Sequence, residues 1–154
     1  MEPSQTILHG TCLSVGGQGV LILGDPGSGK SDLALRLIDQ KGYGIARLPL
    51  PSILVADDQV VVKRQGNRLV ASAPPVLRGK FEIRGLGIVD MAVQAKVNLK
   101  LVVQLRTHAK IERMPSAAVL KILGVSLPMT EIDPAADSAP ARLRAAVGWL
   151  GGMV

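Results

Sequence analysis

Aromatic residues are nearly absent from this chain. One Phe, one Tyr and one Trp make up 2% of 154 residues. That scarcity argues against single-strand nucleic-acid binding by base stacking, which needs aromatic platforms. It also leaves the interior to Val, Leu, Ile and Ala, in a chain that is 47% hydrophobic. Cysteine is as scarce: Cys12 alone permits no intrachain disulfide and no thiolate metal cluster, and reads as a small core residue. No run of Lys or Arg exceeds two residues, so the net charge of +6 is spread along the chain. A spread balance suits phosphate ligands or an acidic protein partner better than a dedicated DNA-binding face. No apolar run approaches the ~20 residues that span a bilayer, and Met1 to Thr6 lack an apolar signal-peptide region. The expectation is a soluble, cytoplasmic protein of one domain over 1–154, with one core.

What is present is concentrated in one segment. Gly24-Asp25-Pro26-Gly27-Ser28-Gly29-Lys30-Ser31 fits G-x-x-x-x-G-K-[ST], the phosphate-binding (Walker A) loop. The glycines let backbone N–H groups converge on an anion. Lys30 adds a full positive charge against the β- and γ-phosphates of ATP, and the Ser31 hydroxyl is placed to hold Mg²⁺. The flanks agree. Gly19 to Gly24 is a short apolar run that reads as a buried strand. Ser31 to Gln40 carries Leu33, Leu35, Leu37 and Ile38 among charged residues and reads as a helix, with Gly42 as its C-cap. A strand–loop–helix unit aims the helix N-terminus at the phosphates.

Elsewhere the chain reads mostly as strands. Ile7 to Val15 is a first strand, joined through Gly16-Gly17 to the next as a hairpin. Arg47 to Ser52, with Pro49 and Pro51, is a loop. Val60–Val62 and Arg68–Ala71 pair around Gly66-Asn67. Phe81 to Val89 is β-like, broken by Gly85 and Gly87, and Val97 to Leu105 alternates as a strand. Ala117 to Leu123 fits a short helix or a strand. Pro128 to Pro140 reads as irregular and acidic, and Ala139 to Leu150 as a C-terminal helix.

Ser52 to Asp58 is an apolar strand ending in two carboxylates, the Walker-B pattern. One carboxylate, Asp57, can face the metal. The other, Asp58, can face the acceptor and take the proton of an attacking hydroxyl, because side chains alternate across a strand. Glu82-Ile83-Arg84-Gly85-Leu86-Gly87-Ile88 places an acid, a base and two glycines together; its chemistry alone does not separate a site from a bulged strand. His9, at a strand start, and Arg113 carry no signal of their own.

In order, His9-Gly10, the loop 24–31, Leu54 to Asp58, Glu82 to Ile88 and Glu112-Arg113 resemble the catalytic domain of bacterial HPr kinase/phosphorylase, over about His9 to Leu127. The Glu-Ile-Arg-Gly-Leu-Gly-Ile segment is the most specific part. The resemblance implies an α/β phosphate-loop fold related to phosphoenolpyruvate carboxykinase, with mixed β-sheets and flanking helices. It implies a protein-serine kinase that uses ATP and Mg²⁺ to phosphorylate an HPr-like phosphocarrier of the sugar phosphotransferase system or its nitrogen branch. It further implies a homo-oligomer, usually a hexamer, and a short form without the family's N-terminal regulatory domain. By motif, Gly24 to Ser31 bind the nucleotide, Ser31 and Glu82 match the Mg²⁺ ligands, Asp58 matches the acid–base residue, and His9 and Arg113 match the other active-site positions. The family's Gly-Arg stretch near the C-terminus is replaced by Leu127 to Pro134. Glu131 and Asp133 lie in that stretch and Asp137 just after it, and Arg142 or Arg144, in the following helix, could substitute as cations. Kinase activity is therefore expected to exceed reverse phosphorolysis. The phosphate loop and the Asp pair alone are equally compatible with a small-molecule kinase; a nucleotide-sensing regulator is a further alternative, disfavoured by Asp58.

Overall fold

The computed structural model describes residues 4–150. Eleven strands and two helices are arranged around one long strand. The strands are β1 (Gln5–His9), β2 (Thr11–Val15), β3 (Gln18–Leu23), β4 (Ser52–Ala56), β5 (Gln59–Gln65), β6 (Arg68–Ser72), β7 (Lys80–Ile83), β8 (Gly87–Asp90), β9 (Lys96–Leu105), β10 (Ala118–Ile122) and β11 (Val125–Ile132). The helices are α1 (Lys30–Asp39) and α2 (Ala139–Leu150). The main sheet runs β1-β5-β6-β9-β3-β2-β4. β9 pairs with β3 in parallel along one side. On its other side it meets β6 near its start and β11, in parallel, near its end. β7 and β8 form a separate hairpin.

The strands with unbroken apolar runs are those buried on both faces. Val20 and Ile22 of β3 face a core shared with Leu33, Ala34 and Leu37 of α1 and Leu143 and Val147 of α2. Leu21, between them, faces a second core with Cys12, Val60, Val62, Leu69, Val97 and Val102. Both α/β character and mixed pairing agree with the sequence reading.

Three local expectations are corrected. Ile7 to Val15 is two strands, not one: β1 pairs with β5 while β2 pairs with β3 and β4. The chain changes partners at Gly10, where a Cβ would lie 2.8 Å from the Ile22 carbonyl oxygen. Gly42 is not the cap of α1; Gln40 is, in an extended conformation. Gly42 instead makes room for the Arg144 guanidinium, which a Cβ there would meet at 2.8 Å. Finally, residues 128–132 are not irregular but the second half of β11. Pro128 is tolerated because β11 has only β10 beside it there, the pairing to β9 beginning at Met129. The segment 117–123 resolves as strand β10.

Arg144 is 2% exposed and sits at the C-terminal end of α1. It donates to Leu37 O at 2.8 Å, to Leu50 O at 3.0 Å and to Gln40 O. The helix stops at Asp39, so Leu37 O has no amide four residues on to accept from, and a cation there also suits the helix dipole. Residues 43–50 run between α1 and α2, with Gly44 against the backbone of Arg144 and Ala145, and Ala46 against Gly148.

Candidate active site

The phosphate loop leaves the carboxyl end of β3 and enters α1 at Lys30. Gly27 (φ 77°) and Gly29 (φ 103°) both take left-handed conformations that a side chain would resist. Lys30 folds back over the loop, its Nζ donating to Gly24 O at 2.9 Å and Asp25 O at 3.1 Å. No carboxylate pairs with it among the described residues. The Ser28 Oγ is buried in the loop with no hydrogen-bond partner. A cradle of left-handed glycines, a lysine resting only on carbonyls and an orphaned hydroxyl fits a polyphosphate anion.

Asp57 follows β4 and is 7% exposed. Its Oδ1 accepts two hydroxyl donors, Ser31 Oγ at 2.9 Å and Thr11 Oγ1 at 2.9 Å. β2 lies between β3 and β4, with Thr11 opposite Ile22 and Cys12 opposite Ala56. The sheet order therefore joins the first helical turn of α1 to the end of β4. A buried carboxylate bonded to the loop's Ser hydroxyl is the donor set that suits Mg²⁺, a hard cation that prefers oxygen ligands. Thr11 carried no signal in the sequence that set it apart from other strand threonines.

Asp58 is held differently. Its φ is 68°, one of two positive values outside glycine among the described residues. The Gln59 N–H donates across it to Asp57 O at 2.8 Å, and the Gly10 N–H donates to Asp58 O at 3.2 Å. A three-residue turn of this hand is uncommon and costs about 1–3 kcal/mol, and such strain concentrates at functional sites. The turn breaks strand alternation between the two carboxylates. His9 ends β1 opposite Gln59, and the Gly10 amide that follows it bonds Asp58 O, so the backbone at His9 runs beside the Asp57–Asp58 turn.

Glu82 and Arg113 stand apart from these contacts. Glu82 is exposed on β7, whose Phe81 turns into the core; its backbone lies opposite Ile88 of β8, and its carboxylate makes no hydrogen bond or ion pair to a described residue. Arg113 is exposed in the connection from β9 to β10, without an ion pair among the described residues. No group of three or more His, Cys, Asp or Glu that could hold a metal is found among the described residues. Burial pushes the Cys12 thiol far above its usual range, which makes it an inert core group.

On the other side of β3, a cleft of about 690 Å³ opens beside the loop. Asp25 and Ser28 form one wall, Thr107 and Lys110 another, and Asp133 to Ala135 a third. Asp133 Oδ1 accepts from the Ala135 N–H at 2.9 Å and Oδ2 from the His108 N–H at 2.8 Å. Those two amides hold its carboxyl below the usual carboxylate range. Arg36 ties the same turn to α1, donating to Pro134 O at 2.5 Å. A Cβ on Gly29 would touch Pro134 at 3.3 Å, so this turn lies against the phosphate loop.

Known proteins resemble this chain in sequence and in fold. The family model of the HPr Serine kinase C-terminal domain matches residues 3–143. HPr kinase/phosphorylase of Ralstonia pickettii (strain 12J) is 40% identical over 140 residues, covering 84% of this chain and 40% of that protein. The Cupriavidus metallidurans protein of the same name is 41% identical over the same coverage. The chain thus spans about two fifths of the length of these curated relatives. The solved HPr(Ser) kinase/phosphatase structure from Coxiella burnetii superimposes with a TM-score of 0.76 at 29% identity, covering 92% of this chain and 93% of that one. With residues 3–143 matched by the family model and the same fold in a solved HPr(Ser) kinase/phosphatase, the chain belongs to the HPr serine kinase C-terminal domain family.

Proposed function

We propose that this domain is an ATP- and Mg²⁺-dependent protein-serine kinase that phosphorylates a seryl hydroxyl of an HPr-type phosphocarrier. The observation that carries the reading is the pair Asp57–Asp58. One carboxylate collects the loop's Ser31 hydroxyl; the next is turned out by a left-handed turn. A nucleotide sensor has no use for the second. Bound Mg·ATP supplies the transferable phosphoryl group and neutralises its charge. Gly24 to Ser31 hold the phosphates through backbone amides and Lys30. Lys30 gives up its carbonyl contacts to do so. Ser31 and Asp57 provide oxygens for the metal, with Glu82 the further ligand by family position. Asp58 takes the proton from the attacking seryl oxygen, and His9, beside it, and Arg113 complete the acceptor side.

The forward direction is favoured. Reversal must bring inorganic phosphate against phosphoserine, and cations must offset their repulsion. Asp133 lies in the cleft beside the loop, Arg144 is buried at the far end of α1, and Arg142 is bonded to Ser138 Oγ. Assembly as a homo-oligomer, with the hexamer as the family form, belongs to the same reading. Exposed Tyr43, Ile45, Leu48 and Trp149 offer apolar surface for it.

The test is to incubate the protein with γ-labelled ATP, Mg²⁺ and HPr-type carriers, wild type and with each candidate serine changed to alanine. Label on one serine of the carrier is expected. Asp58→Asn should keep ATP binding by calorimetry and lose ~10²–10⁴ in transfer rate. Transfer to small hydroxyl metabolites, but to no carrier, would refute the assignment.

A further inference from the structure

We infer that a fork in the main sheet, at the opposite end of β3 from the phosphate loop, is a second ligand site that takes a small aliphatic carboxylate. The inference goes beyond the kinase reading and stands without it. Two strands compete there for one edge of β9. β6 pairs with β9 up to Asn98 and β11 pairs with it from Val102 onward, so neither takes Leu99, Lys100 or Leu101. Continued inward, both registers would claim these same residues, and the strands part instead. The gap between them is a cavity of about 340 Å³, at the lower end of the range for small-molecule sites. Backbone groups on an open strand edge need a partner from water or a ligand. On the β3 side Lys100 is skipped as well, because Gly19 faces Leu99 and Val20 faces Leu101. It is the extra residue of a bulge, a device that re-aims a side chain.

The walls select the ligand. Arg68 and Lys100 line the cavity, both exposed and neither ion-paired among the described residues, and the lining holds no carboxylate. Gln18, Asn67 and Asn98 add side-chain amides that can donate. Leu69, Leu127 and Val147 supply buried aliphatic surface. Two cations beside an aliphatic wall suit one carboxylate on a short alkyl body. Polyphosphate is better served by the glycine cradle at the other end of β3, about 17 Å along the strand. The fork is braced by one side chain: Arg64 donates to Gly66 O and to Leu123 O, each at 2.9 Å, and so joins the β5–β6 turn to the β10–β11 turn. Leu123 presents that carbonyl from a left-handed conformation (φ 50°), a strain that collects at ligand clamps.

Hexanoate and hexylammonium are the probes, read by amide NMR shifts on the full chain. Hexanoate should move the amides of residues 99–101 and 125–127 saturably, with a Kd of about a few millimolar or tighter. Hexylammonium has the same alkyl body and the opposite charge, and should leave them in place. Arg68→Gln and Lys100→Gln, both at exposed positions, should each weaken hexanoate by about threefold or more. Ser126→Trp fills the cavity and should abolish the shifts, with folding checked by thermal melting. Equal binding of the two probes, or hexanoate binding indifferent to both cations, would reduce the fork to an unselective apolar hole and overturn the inference. Shifts confined to residues 24–31, or none at about 20 mM hexanoate, would overturn it too.

Discussion

Replacing Arg144 with Met tests whether a buried cation, and not apolar packing alone, fixes the end of the helix that begins at the phosphate loop. The side chain is 2% exposed and serves three carbonyls: Leu37 O at 2.8 Å, Leu50 O at 3.0 Å and Gln40 O. Hydrogen bonds to a charged group contribute about 1.5–3 kcal/mol each. Against them stands the cost of burying a guanidinium with no carboxylate partner, several kcal/mol. That same burial lowers its pKa. Met keeps much of the volume, so the cavity left is small, but three carbonyls lose their donor beneath Gly42 and Gly44. The net loss is about 2–4 kcal/mol, which at this chain length shifts the melting midpoint by about 5–15 °C. Urea unfolding of wild type and Arg144→Met measures it directly. A difference below about 0.5 kcal/mol would show that desolvation cancels the three bonds and that apolar packing alone holds α1 against α2.

Lys30→Ala should sharply weaken ATP binding, because Lys30 is the loop's own full positive charge; wild-type affinity by calorimetry would remove the basis of the phosphate site. Thr11→Val deletes one of the two hydroxyls on Asp57 Oδ1 inside the sheet, and should cost about 1–2 kcal/mol in chemical denaturation. No loss would mean that Asp57 is held by Ser31 alone. Asp133 has a folded pKa below its ordinary value, so its contribution is present above the unfolded pKa and is lost as pH falls through the folded one. Denaturation of wild type and Asp133→Asn across the acid range should show the gap closing only below the usual carboxylate range; a gap independent of pH would refute the ionic contribution.

The chemistry-bearing core of this protein was readable in order along the chain. The phosphate loop, its strand and helix, the aspartate pair and the C-terminal helix are local patterns. Their signals are carried by glycine at left-handed positions, by a short apolar run buried on both faces and by helical spacing. Residues joined across the sheet were not readable. Thr11 reaches Asp57 only because β2 lies between β3 and β4, and a strand threonine looks the same in any sheet order. Asp58 owes its position to a left-handed turn that is tied to the Gly10 amide, where β1 gives way to β2. Arg144 looked like one more helix cation suited to phosphate. Only the packing of α2 on α1 sends it to the opposite end of that helix, onto carbonyls left open where the helix stops. The acidic stretch after Leu127 hid a strand, since its pairing with β9 is set by a partner some 27 residues away in sequence. Local backbone preference wrote the loop and the elements beside it; long-range strand order decided which side chains meet there.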